Sequence, residues 1–94
     1  MIIVIARFRV KPAATQNFIA ECNRLITETR KEQGCISYKL HQDREQANDF
    51  AFIEYWDSKE DLERHSASAH FAEIVPQLAE MCEIPPQVQT FTEL

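Results

Sequence analysis

Two histidines five residues apart, His65 and His70, lie in the stretch EYWDSKEDLERHSASAHF that runs from Glu54 to Phe71. An imidazole has an unperturbed pKa of about 6.5, so it takes and gives protons near neutrality. His65 is the best candidate base in the chain. His70 is the second, able to bind a substrate oxygen or to orient His65 through a network. Glu54 stands as a carboxylate on an otherwise aromatic strand, in step with Phe52 and Trp56. A carboxylate that holds one imidazole nitrogen leaves the other free as a base and stabilises the cation that forms, so Glu54 and His65 are expected in one site. Trp56 offers a flat apolar wall for an aromatic ring. Tyr38 can donate a hydrogen bond to a substrate. Phe8 and Phe52 line such a pocket or fill the core, and Ser68 completes the candidate binding set.

Each of these residues also has a plainer role. His65 fits the C-terminal turn of a helix, where its cation meets the dipole. His70 fits a structural hydrogen bond, and Trp56 fits a core. Glu54 could pair across the sheet with Arg7 or Arg9. His41, beside a loop, is expected to face solvent. No metal is expected, because five positions set His65 and His70 well apart around a helix. A chain with one glycine has no Gly-rich phosphate loop.

The elements that must position these residues are legible from periodicity. Ile2 to Val10 reads as a strand, with Val4, Ala6 and Phe8 on one face and Ile3 and Ile5 on the other. After Pro12, Phe18, Cys22, Leu25, Ile26 and Thr29 recur at helical spacing, and Gly34 follows the last turn. CISYKLHQ is a strand with Ile36, Tyr38 and Leu40 on one face, and DFAFIEYW is another. Ser58 with Asp61 opens a helix, a break falls around Ser66 to Ser68, and a second helix carries Phe71, Ile74, Val75, Leu78 and Met81. Pro85 and Pro86 end it, and VQTFTEL is a last strand. The order β-α-β-β-α-β is the split βαβ pattern of an α+β, ferredoxin-like domain.

Ninety-four residues is the length of one domain, read as spanning 1–94. Ten basic against fifteen acidic residues give a formal charge of -5, which disfavours a nucleic-acid binder, since such a protein normally shows a basic face. No run is apolar enough to span a membrane. MIIVIARFRV lacks the flanks of a signal peptide, so the cytoplasm is the expected compartment. Three widely spaced cysteines suggest buried thiols rather than disulfides. Both faces of the first and third strands are apolar, because Ile3, Ile5, Ile53 and Tyr55 oppose the core-facing set. A homodimer packed through the open sheet face is therefore expected.

Three segments carry a family resemblance: IIVIARFRVKP, then EQGCISYKLHQD, then FIEYWDSKEDLERHSASAHF. The turn pattern is Glu32-x-Gly34-Cys35-x-x-Tyr38, and the strand-to-helix pattern is Glu54-x-Trp56 followed by His65-x-x-Ser68-x-His70-Phe71. With these the chain resembles the antibiotic biosynthesis monooxygenase family, in its quinol-monooxygenase-like branch. The resemblance implies a dimeric α+β barrel of ferredoxin-like units. It also implies cofactor-independent oxidation of a small quinol or polyphenol by dioxygen. Haem-opening relatives carry an asparagine on the first strand, which is absent here. Two other functions stay open. One is an isomerase or other proton-transfer enzyme on a small anionic ketone, held by Arg7, Arg9 or Lys11. The other is a non-catalytic dimer that binds a small aromatic.

Overall fold

In the computed structural model, which describes residues 1–94, one antiparallel sheet carries three helices on a single face. The strands are β1 (Ile2–Arg9), β2 (Cys35–Gln42), β3 (Asp49–Trp56) and β4 (Gln87–Thr92). The helices are α1 (Thr15–Thr29), α2 (Lys59–Ser66) and α3 (Ala69–Glu80), with a 3-10 turn at Pro12–Ala14 leading into α1. The strand order is β2-β3-β1-β4. It places the two most apolar strands at the centre and confirms the ferredoxin-like arrangement.

Register explains the two faces. β1 pairs with β3 so that Val4 lies opposite Glu54, Ala6 opposite Phe52 and Phe8 opposite Phe50. All of these but Glu54 meet Phe18, Cys22 and Leu25 of α1 and Ile74 and Leu78 of α3 in one buried cluster. On the far face Ile3 sits between Tyr55 and Phe91, and Ile5 between Ile53 and Gln89. No helix covers that row.

The expected barrel is not there. β2 and β4 are free edges of an open sheet, and four strands are too few to curl closed around a filled interior, which takes about eight. β2 also departs from simple alternation. A bulge between Cys35 and Ser37 sets Cys35 opposite Trp56 and pushes Ile36 outward to 54% exposure, while Tyr38 and Leu40 keep the inward face. The extra residue absorbs the change of direction that follows Gly34.

Two local devices set up the site. Gly34 has φ +82°, and a Cβ there would collide with the Asp61 side chain. The turn after α1 thus lies directly against the start of α2, where Ser58 caps the helix by accepting from the Asp61 N–H at 3.2 Å. The second device is the expected break. α2 stops at Ser66, and Ser68 caps α3 by accepting from the Phe71 N–H while its hydroxyl donates to the His65 carbonyl at 2.7 Å.

Candidate active site

A cavity of about 170 Å³ lies between the helices and the β1/β4 side of the sheet. Its walls are mainly apolar, with Phe8, Phe52, Leu62, Phe71 and Val75 among them; His65, Glu54 and Tyr38 bring polar atoms to it. It opens past Pro86, Val88 and Thr90, where no helix covers β4 and Val88 is 63% exposed. An apolar cavity of about 150 Å³ holds a benzene ring, so the volume suits one small aromatic nucleus.

His65 is buried, at 2% exposure. Its Nδ1 lies 2.7 Å from Oε2 of Glu32, and that same oxygen lies 2.8 Å from Nε2 of His70. Trp56 packs against the His65 ring with centroids 4.6 Å apart, and Phe71 meets its edge at 5.2 Å. The only fully enclosed side-chain polar atom without a partner is Thr29 Oγ1. Nε2 of His65 bonds no protein atom, so it keeps access to the cavity. Burial holds His65 below the ordinary imidazole pKa, against the Glu32 carboxylate, which pulls it up. The ring is therefore neutral near pH 7 and available as a base.

Glu54 accepts a hydrogen bond from Nε1 of Trp56 at 2.9 Å. Burial pushes its pKa up to about 7; the Trp56 N–H opposes the rise and the Glu32 charge adds to it. This carboxyl is poised to lend or take a proton in the cavity. Tyr38 stacks on Phe52 at 4.7 Å. Burial, reinforced by the Glu54 charge, raises its pKa, so the phenol stays protonated as a donor.

The structure brings together His65, Glu54, Tyr38, Phe52 and Phe8 on one cavity, and it corrects four of the expected roles. Glu54 does not hold His65: its bonded oxygen is taken by Trp56, and Glu32 holds the imidazole instead. Trp56 is fully buried behind His65 and does not line the cavity. Ser68 is spent on the helix cap. His70 lies outside the cavity, at a groove with Arg24, Glu28 and Glu73. The absence of any metal-ligating cluster is also overturned. Glu32, His65 and His70 offer three ligand atoms within 4.8 Å of one another. The helix is interrupted between the two histidines, so five residues of separation no longer mean opposite sides of one cylinder.

Glu32 is the residue that sequence reasoning misses. It enters the turn pattern with Gly34 without a role, although a carboxylate two residues before an obligatory left-handed glycine has its direction fixed by that turn. Arg7, Arg9 and Lys11 are not in the cavity. Arg7 donates to Gln89, Arg9 pairs with Asp49 at 3.2 Å, and Lys11 donates to the Glu80 carbonyl. None of them pairs with Glu54.

The sequence profile described as antibiotic biosynthesis monooxygenase matches residues 1–77. The chain belongs to that family. The matched span includes Glu32, Tyr38, Glu54, Trp56, His65 and His70. β4, which borders the cavity mouth, lies beyond it. The protein sll1783 of Synechocystis sp. is 31% identical over 90 residues, 96% of this chain and 61% of that protein. The chain thus spans less than two thirds of that relative. The crystal structure of a conserved protein from Methanosarcina mazei has a TM-score of 0.97 at 35% identity, over 99% of this chain and 92% of that one. Rv0793 from Mycobacterium tuberculosis gives 0.93 at 31%, over 99% and 94%. Within this family, no helix of the chain is long and apolar enough to cross a membrane.

Proposed function

We propose that this member of the family is a cofactor-independent monooxygenase that oxidises a small quinol or polyphenol with dioxygen in the cavity beside His65. The observation that carries the proposal is a buried, neutral imidazole with Nδ1 held by Glu32 and Nε2 open to a ring-sized cavity. Nε2 takes the phenolic proton, and Glu32 stabilises the resulting cation. The electron-rich anion passes an electron to dioxygen, and recombination forms a C–O bond at a ring carbon. Glu54 supplies a proton to the peroxide. Loss of the ring C–H proton then breaks the O–O bond, one oxygen leaving as water and the other remaining as a carbonyl. The quinol supplies all four electrons, and the product is a hydroxyquinone.

The apolar walls exclude water from the anion, and the Tyr38 hydroxyl is a donor for reduced oxygen. The anionic-ketone alternative loses its support, because the arginines meant to hold the anion lie outside the cavity. The test is oxygen uptake with a panel of hydroquinones, run with isotopic dioxygen. One labelled atom per product is expected. A folded protein that consumes no oxygen with any of them would defeat the reading, and ring binding without turnover would favour a binding protein.

We further infer that the protein works as a homodimer joined through the open sheet face. Ile3, Ile5, Ile53 and Tyr55 form a half-buried apolar row there, extended by Phe91 at 43% exposure. Burying such side chains is worth roughly 1.5–3 kcal/mol each as an upper bound. Sedimentation at micromolar concentration is expected to give twice the chain mass, and Ile53→Asp a monomer; a monomeric wild type would refute the dimer.

A further inference from the structure

The cluster of Glu32, His65 and His70 does more than orient a base. Its three residues come from separate pieces of chain: the turn after α1, the last turn of α2 and the first turn of α3. Side-chain exposure is 14% for Glu32, 2% for His65 and 20% for His70. Nδ1 of His65 and Nε2 of His70 converge on one carboxylate oxygen. We propose that this trio is a binding site for a divalent cation of the zinc class, and that an ion held there switches His65 off as a base. The second half of the proposal rests on the reading of His65 given above; the first half does not.

Two imidazoles and a carboxylate form a borderline ligand set that suits Zn²⁺ and leaves a fourth position for water. Metal–ligand bonds of about 2.0–2.1 Å in a tetrahedron put donor atoms about 3.3 Å apart. The pairs now at 2.7 and 2.8 Å must therefore open by roughly half an ångström. His70 can supply that movement, because it stands in the first turn of α3 with its ring partly exposed. An entry path exists on the same side. The groove over His70 carries Glu28 and Glu73, and the charge of Arg24 there is engaged by Glu21 and Glu73. No residue of that groove lines the cavity, so ion and substrate arrive by different doors.

The switch follows from imidazole chemistry. A neutral ring coordinated through Nδ1 carries its one proton on Nε2. Nε2 then points a donor, not a lone pair, at the cavity, and the phenolic proton has no acceptor there. Since the ion does not occupy the cavity, it should lower kcat and leave KM unchanged.

The test is titration of the chelator-treated full chain with Zn²⁺ by calorimetry, with ¹⁵N spectra of the histidine rings. One ion per chain is expected, with Nδ1 of His65 coordinated and Nε2 protonated. Glu32→Gln and His70→Ala should each weaken binding at least tenfold, whereas His41→Ala and Cys35→Ser should not. His70→Gln serves as a second variant if the alanine form misfolds. Failure to bind an ion, or binding that follows Cys35 or His41 instead, would show that the trio is a hydrogen-bond network only and overturn the site. Binding with an unprotonated Nε2 would overturn the switch. If no quinol is turned over, the oxygenase reading falls while the binding and ¹⁵N results still decide the site.

Discussion

Two clefts flank the first strand, and they treat charge in opposite ways. The ionisable groups of the inner cavity, Glu54, His65 and Tyr38, are all buried, and one of them, Glu54, is pushed up to about 7. The outer cleft, lined by Arg7, Arg9, His41 and Asp49, is richer in charge, yet its cations are paired or bonded at the surface, with Arg9 side chain 55% exposed against Asp49. Chemistry needs the first arrangement. Solvent screens the outer charges from one another, while burial makes the inner ones sensitive to each other and to a ligand.

The comparison breaks most readily at His65. His65→Ala should cut quinol turnover roughly 10²–10⁴-fold with the fold intact, and Arg7→Ala should leave it within about twofold. Steady-state oxygen uptake by the two variants checks this, and the reverse ranking would move the active site to the outer cleft. A smaller loss is expected for Glu32→Gln, about 10–100-fold, since it removes the group that orients and stabilises His65 rather than the base itself. Glu54→Gln should cost less than His65→Ala if Glu54 only returns a proton.

Stability against pH sharpens the same contrast. The carboxyl of Glu54 titrates at about 7 in the folded chain against an ordinary 4.5. Folding therefore favours its protonated form, and the stability this contributes is complete below pH 4.5 and lost as pH rises through 7. The loss by pH 8 should approach roughly 3 kcal/mol. Urea melts at pH 5 and pH 8 should show it, and Glu54→Gln should flatten the difference; a difference that persists in the variant would place its origin elsewhere. The smallest effect belongs to the outer cleft. Arg9→Ala should change stability by less than about 1 kcal/mol, which the same melts would resolve.

Much of this molecule was legible in its sequence. The strands and helices follow from side-chain periods, the sharp turn from the single glycine, and the break between α2 and α3 from Ser66–Ser68. Glu54 stands out as a carboxylate among the aromatic residues at the end of its strand, Tyr38 as a phenol on an inward-facing position, and His65 as a group that titrates near neutrality. Local physics decides such features, so a local reading finds them. Tertiary structure alone decided how they are connected. Glu32 reaches His65 across 33 positions of sequence, through a turn whose direction depends on Gly34 lying against Asp61. His65 and His70 converge on Glu32 because the helix is interrupted between them, which no helical wheel shows. Trp56 took Glu54 as its acceptor because, two residues apart on one strand, they point to the same face and are buried together. The sheet stayed open because strand number, not hydrophobic pattern, governs closure. Pairing among buried polar groups is settled by which of them burial leaves within reach, and that depends on the packing of the whole chain.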